Sequence, residues 1–441
     1  MRRLSITAMV ICLTIASLNA EETPLEKRLF ETGKITDVKP LDNTVGFTEK
    51  YVVNFTQPLD HSTKEKGQFK QRVVVMHRDF SRPTVLVTEG YSANYALTPG
   101  YREELSRLFD MNVVFVEHRF FEASTPTPCD WAYMTDRNAM GDLHEIVSAM
   151  KSIYPGKWVS TGISKGGQTC MEFRAFYPED VDISVPYVGP LCFGVEDGRH
   201  EPFLRQVGTA ADRQRIQDFQ MEVLRRKARL MPAFHAHCLK QNLRFNIPVR
   251  DVFDYCVLEY SFAHWQWGTP TTSIPDNNSK DEVLLRELLR VAGPDYFTPK
   301  GNASFFYQAA YELGYYGYDL KPFKKLTSVR STKNYLRRVM LPDSLSHVKY
   351  HRQLSRFVKK WLRKNDPRMI ILYGEVDPWT AAGVTWLKTQ EKQNMHLFIQ
   401  PGGSHLTRIG NMPEDIKRQI LDLLSNWLGV APVTEEKKQA A

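Results

Sequence analysis

The sequence predicts a doubly wound α/β fold: a mostly parallel sheet with helices on both faces and an inserted helical cap. Three observations carry that prediction. Apolar, β-prone runs alternate with helix-like runs from Thr84 to Val188, the pattern of a parallel sheet covered on both sides. After Gly189-Pro190 no β-rich run occurs until Met369, and roughly 150 mainly helical residues are far too many for a connecting loop. Apolar strands then return at Met369–Tyr373 and Met395–Ile399, ahead of a closing amphipathic helix at Pro413–Leu428.

The 441 residues suit one large domain with an insertion, or two domains, and the ordinary hydrophobic (42%) and charged (24%) contents argue against disorder or coiled coil. Residues 1–20 read as a secretory signal peptide: Arg2-Arg3, the short apolar stretch Ala8–Ile15, then Ala16, Ser17 and Ala20 before polar EETP. The stretch is too short to span a bilayer, and Ile11 before Cys12 argues against a lipoprotein anchor. An exported protein with no stable membrane anchor is expected. Past the leader, Cys129, Cys170, Cys192, Cys238 and Cys256 remain. The odd number leaves at least one free, and any pairing, such as Cys238 with Cys256, stays open. The chain carries +8, unevenly. Fourteen Lys and Arg against the single acid Asp343 give Lys321–Lys364 +13, which leaves −5 for the remainder. A solvated helix face explains that stripe better than nucleic-acid binding, which is not expected of an exported protein.

In chain order, Glu21–Asn43 is weakly patterned and reads as a lead-in helix or arm. Tyr51–Phe55 and Phe69–Met76, around the polar stretch Asp60–Gly67, form an antiparallel hairpin at a sheet edge. Thr84–Thr88 is a strand running into Glu89-Gly90-Tyr91, Tyr101–Phe109 a short helix, and Asn112–Val116 a strand ending at Glu117-His118-Arg119, where His118 reads as a positioned structural histidine. Leu143, Ile146, Val147, Met150 and Ile153 put Asp136–Ile153 on a helix stopped by Pro155-Gly156. Val181–Val188 is a further strand, weakened by Pro186. Helix-like runs follow at Phe203–Met231, Asp251–Phe262, Asp281–Val291, Asn302–Tyr318 and Leu345–Leu362. The reading divides the chain into the leader (1–20), a first part of the α/β core (45–194), the cap (195–349) and a second part of the core (350–430).

The chemistry centres on Trp158–Phe176. Gly162-Ile163-Ser164-Lys165-Gly166 is a G-x-S-x-G between a short β-prone run and a run of helix formers. Strand, sharp turn and helix make a nucleophile elbow of what would otherwise be a glycine-rich loop with a surface serine. The Lys165 N–H, opening the helix, faces a developing oxyanion, and the N–H of Tyr91 is the expected second donor. Downstream, Asp377 follows the strand Met369–Tyr373 and His405 follows Met395–Ile399. The order Ser164, Asp377, His405 is that of the α/β-hydrolase triad. A hydroxyl is a weak nucleophile at neutral pH, so His405 takes its proton, and Asp377 fixes the imidazole tautomer. His235-Ala236-His237-Cys238 lacks a second ligand pair, so no metal and no cofactor is expected.

At these residues the sequence resembles the secreted proline-specific tripeptidyl aminopeptidases, serine peptidases with an α/β-hydrolase core. It is more distantly similar to the prolyl carboxypeptidase and dipeptidyl peptidase II family. The stretches that carry the resemblance are Phe55–His61, Val116–Phe121, Thr161–Gln168, Tyr311–Tyr316 and the two late triad loops. Gly-Ile-Ser-Lys-Gly-Gly stands where the distant family has Gly-Gly-Ser-Tyr-Gly-Gly, which favours the tripeptidyl group. The resemblance implies a helical cap, proline preference and release of short peptides from free N-termini, with Ser164, Asp377 and His405 as nucleophile, acid and base. Peptides are then the expected partners, and the oligomeric state is left open. Such an enzyme needs an acid near its cleft for the substrate ammonium. Glu312 is the first candidate and Glu89 the second, with Trp379 or Trp265 as the aromatic that covers a proline ring. An esterase or lipase on the same machinery, and a non-catalytic binding protein of the same fold, are the competing readings.

Overall fold

Nine strands form one sheet: β1 (Ile35–Pro40), β2 (Glu49–Pro58), β3 (Gln68–His77), β4 (Thr84–Thr88), β5 (Asn112–Val116), β6 (Trp158–Ile163), β7 (Ile183–Tyr187), β8 (Met369–Gly374) and β9 (Met395–Gln400). Their spatial order is β1-β2-β3-β5-β4-β6-β7-β8-β9. The first pairings, through β3 with β5, are antiparallel, and every later one is parallel. This computed structural model describes residues 23–299 and 301–433, so the expected signal peptide lies outside the described residues.

Alternation along the strands places the two cores. Val74, Val85, Val113, Ile370 and Leu372 point to one face, where α2 (Glu104–Phe109) and α13 (Glu414–Leu428) bury Leu105, Phe109, Ile420 and Leu424. Their neighbours Val75, Leu86, Val114 and Ile371 point to the other. That second face is covered by α1 (Pro24–Glu31), α3 (Asp136–Met150), α4 (Lys165–Phe176) and α11 (Gln353–Lys364). With both faces covered, β4, β5 and β8 are buried end to end, which is why they read as continuous apolar runs.

Between β7 and β8 lie α5 (His200–Leu204), α6 (Ala210–Arg225), α7 (Lys227–Lys240), α8 (Val249–Gln266), α9 (Asp281–Val291) and α10 (Ala303–Gln308). They share a core of their own around α8, which is buried on nearly every side. Helix α12 (Pro378–Ala381) follows β8.

Three elements differ from expectation. Strand β1 lies within the lead-in segment; only Ile35 is buried along it, and the Lys39-Pro40 end suits an unpaired edge. The expected helix Asn302–Tyr318 is shorter: α10 passes into a π turn at Ala309–Leu313, and Gly314 (φ 82°) ends it where a Cβ would meet the Gly194 carbonyl at 2.5 Å. The expected helix Leu345–Leu362 begins only at Gln353. None of the five cysteines among the described residues is paired, and no helix among them is long and apolar enough to cross a membrane.

Arg119 ties the hairpin to the sheet. Wholly buried, it donates to both oxygens of Asp142 at 2.7 Å and to the carbonyls of Pro58, Leu59 and Tyr133. His118 beside it is also buried, its Nδ1 against the Arg119 carbonyl, in agreement with a structural role. Arg119→Met would leave the Asp142 carboxylate buried with only His61 beside it. A loss of about 3 kcal/mol of folding stability is expected. Chemical denaturation checks this, and a loss under about 1 kcal/mol, the range of a surface pair, would contradict it.

Candidate active site

Strand β6 delivers Ser164 into a sharp turn with φ 60° and ψ −121°, and α4 begins at the next residue. Positive φ is costly for a serine and marks stored backbone strain. The turn survives because the residues two positions to either side, Gly162 and Gly166, have no side chains. A Cβ at Gly162 would meet the Gly166 carbonyl at 2.3 Å, and one at Gly166 would meet the Glu89 carbonyl at 2.5 Å. The serine N–H donates to the Tyr187 carbonyl at 3.0 Å, which pins the elbow to β7.

Just past the end of β8, Asp377 is wholly buried and caps α12. One carboxylate oxygen accepts the Trp379 N–H at 3.0 Å; the other accepts from His405 Nδ1 at 2.6 Å. That division of labour fixes the carboxylate and the imidazole tautomer together. The His405 loop after β9 is held twice: the Gly403 carbonyl accepts the Val376 N–H at 2.9 Å, and the His405 N–H reaches the Gln266 carbonyl of α8 at 2.9 Å. His405 Nε2 is buried with no hydrogen-bond partner among the described residues. Ser164 and His405 line one cavity of about 660 Å³, between the carboxyl ends of the strands and the helical segment.

Tyr91 and Lys165 also meet at the elbow. The Tyr91 phenol is close enough to Ser164 and to the Lys165 backbone for both to influence it, and burial pushes it far above its ordinary value, so it stays protonated. The expectation concerned the Tyr91 backbone N–H; the part of Tyr91 found near the serine is its side chain. The Lys165 ammonium, 3% exposed, donates to the Gly90 carbonyl at 2.6 Å and so clamps the Glu89–Tyr91 loop onto the elbow. Burial lowers this lysine to about 8, against the opposing pull of Asp136, Glu172, Glu89 and Glu312.

Of the expected substrate-binding residues, Glu89 and Trp379 line the cavity; Glu312 and Trp265 do not. Glu312 is corrected: it is a buried carboxylate that accepts the Asp136 N–H at 2.6 Å at the start of α3. Burial, then the neighbouring Asp136, raises it to about 8. The π turn aims it at α3 instead of the cavity. Trp265 is also corrected: it lies on the other face of α8 and lines a separate pocket of about 220 Å³. Glu89 accepts from the Tyr95 hydroxyl, and burial raises it to about 8.

Sequence reasoning missed Glu259 and Asp295, which also line the cavity. Glu259 is 5% exposed, and its oxygens accept from the hydroxyls of Tyr316 (2.9 and 3.0 Å) and Tyr318 (2.7 Å). Burial raises it to about 7. A signal was present: Glu259 is the one charged side chain in the run Tyr255–Ala263, and a charge inside a buried helix needs a partner or a task.

Residues 32–441 match the model of the PS-10 peptidase S37 family. The prolyl tri/tetrapeptidyl aminopeptidase of Streptomyces mobaraensis is 28% identical over 97% of this chain and 89% of its own. Among solved structures, a proline iminopeptidase of Mycobacterium smegmatis aligns at 12% identity over 85% of this chain and 98% of its own, with a TM-score of 0.41. VinJ aligns at 12% identity over 89% and 99%, with a TM-score of 0.42. Likenesses at those scores add no weight to the fold described above. With a strained serine, a histidine locked to a buried aspartate and a family match over nearly its whole length, this chain, an α/β-hydrolase, belongs to the PS-10 peptidase S37 family of serine peptidases.

Proposed function

We propose that the protein is an exported serine exopeptidase that releases tripeptides or dipeptides from free N-termini, with preference for proline before the scissile bond. The observation that carries the reading is the His405 imidazole, held at Nδ1 by buried Asp377 at 2.6 Å while unpaired Nε2 and Ser164 share one cavity. His405 Nε2 takes the Ser164 proton as Oγ attacks the carbonyl carbon. The tetrahedral oxyanion lies against the Lys165 N–H and Tyr91. Its collapse breaks the C–N bond, His405 returns the proton to the departing amine, and water then repeats the sequence on the acyl-enzyme.

The cavity suits an N-terminal peptide with a flat apolar residue. Trp379, Tyr315, Tyr316 and Tyr296 form its aromatic wall, and Trp379 lies 5.3 Å from both Tyr315 and Tyr316. Such rings cover a proline well. Glu259 sits in this wall with its oxygens oriented by tyrosines, and it takes the ammonium-anchoring role first expected of Glu312. The name of the Streptomyces relative supports both proline and the free N-terminus. The leader-like residues 1–20 support export.

Ser164→Ala is expected to lower kcat for an unblocked proline-containing tripeptidyl anilide by at least about 10⁴-fold while leaving the unfolding transition unchanged. Retained turnover would remove Ser164 from the mechanism. Glu259→Gln is expected to lower kcat/KM for free-amine substrates by at least about 30-fold, and for N-acetylated ones far less. An equal effect on both would rule out amine anchoring by Glu259. Because burial raises Glu259 to about 7 and a substrate N-terminus keeps its proton up to about 7.5, KM for free-amine substrates should fall as pH rises from about 5.5 to 7 in the native enzyme, and this slope should vanish in Glu259→Gln. A slope that persists in the variant would contradict the assignment.

A further inference from the structure

A second pocket, of about 260 Å³, adjoins the catalytic cavity and shares Glu89, Tyr95, Ile163 and Arg408 with it. No residue of α5 to α11 lines it; its walls come from α2, the ends of β4, β6 and β7, and the loop after His405. Ile163, the residue before Ser164, is unusually exposed for a large aliphatic side chain, 37%, and stands at the junction of the two spaces. The two spaces have different walls. One is walled by the tyrosines of the helical segment and contains Glu259, which suits the short N-terminal part. The leaving part has no set length and has to depart from the side on which His405 donates its proton. Arg408, on the same loop as His405, marks that side.

Arg408 is built into the loop yet keeps part of its guanidinium free. Nη1 donates to the carbonyls of His405 (3.2 Å) and Thr407 (2.6 Å). The carbon of the guanidinium lies 5.7 Å over the Tyr187 ring. Nε and Nη2 donate to no protein acceptor among the described residues. The acids nearby are already engaged. Glu104 accepts from the Tyr187 hydroxyl and from the Ile409 and Gly410 N–H groups. Glu103 accepts from the Leu105 and Ser106 N–H groups, and burial raises it to about 7. Glu89, raised to about 8, is largely protonated at neutral pH. Arg102 and Arg107 line the same pocket. Three arginines thus face Glu104 and two carboxyls that burial holds partly or largely protonated, so the balance of charge in the pocket is cationic.

We propose that this pocket receives the first residue of the leaving peptide and that Arg408 selects a carboxylate there, carried either by an acidic side chain or by the free C-terminus of a one-residue leaving group. The inference rests on the exopeptidase reading above.

The test measures kcat/KM for unblocked Ala-Ala-Pro-X-Ala-Ala amides with X as Glu, Gln or Lys, and for Ala-Ala-Pro-Ala as free acid and as amide. The first arm reads a side-chain carboxylate and the second a terminal one. A carboxylate advantage of at least about tenfold is expected in one arm or both, the worth of a charged hydrogen bond. Arg408→Gln should bring that ratio to within about twofold, and Arg408→Lys should restore part of it. Ratios are read because Arg408 also holds the His405 carbonyl, so absolute rates will move as well. The absence of an advantage in both arms, or an advantage that survives Arg408→Gln, overturns the inference and leaves the exopeptidase reading standing. If the native enzyme cleaves none of the unblocked peptides, both fall.

Discussion

The hydrogen bond from His405 to Asp377, 2.6 Å between two buried side chains, is the contact on which the rest of the site depends. Neither group would be tolerated in that position alone. An isolated buried carboxylate is expensive, and an imidazole free to rotate could not present Nε2 to the cavity. The sheet supplies the geometry by placing β8 and β9 side by side in parallel, so that their following loops meet at the same edge. The helical segment adds a second constraint through the Gln266 carbonyl, which holds the His405 backbone. Any shift of α8 against the sheet would therefore move the imidazole, and Glu259 on the same helix would move with it. Glu259 and the imidazole are mechanically joined through one helix.

Buried charge is concentrated around the elbow, where Lys165 faces Asp136, Glu172, Glu89 and Glu312. Lys165 holds the Gly90 carbonyl, Glu312 holds the first N–H of α3, and Asp136 and Glu172 complete the group around the lysine. Such groups are poor stabilisers taken singly, because desolvation offsets most of the attraction. Their value here is positional. They hold the Glu89–Tyr91 loop, the elbow and the start of α3 in one register, which brings the Tyr91 hydroxyl and the Lys165 N–H together beside Ser164. Electrostatic stabilisation of a transition state requires donors that are already in place, and this cluster provides that preorganisation.

Ser164, Asp377 and His405 stood out in the sequence because each follows an apolar strand and sits in a glycine- or proline-marked turn, a local signal that survives without tertiary information. The sheet core was legible for the same reason. Edge strand β1 was not, since a strand exposed along most of its length carries no apolar alternation. Glu312 was misplaced because direction within an irregular turn is a tertiary property: one π turn separates a carboxylate facing the cavity from one facing α3. Trp265 was misplaced by rotation about α8, where most faces are apolar and periodicity does not say which of them meets the cavity. Glu259 went unnoticed on the same helix, although a lone acid in an apolar run was a sign that could have been followed.

The central claim is that Ser164 is made nucleophilic by His405. Its most direct measurement is labelling with an organophosphorus fluoridate followed by peptide mass mapping. One phosphoryl group per chain is expected, on Ser164, with labelling slowed by orders of magnitude in His405→Ala and in protein denatured beforehand. Labelling at another residue, or at an unchanged rate in His405→Ala, would contradict it.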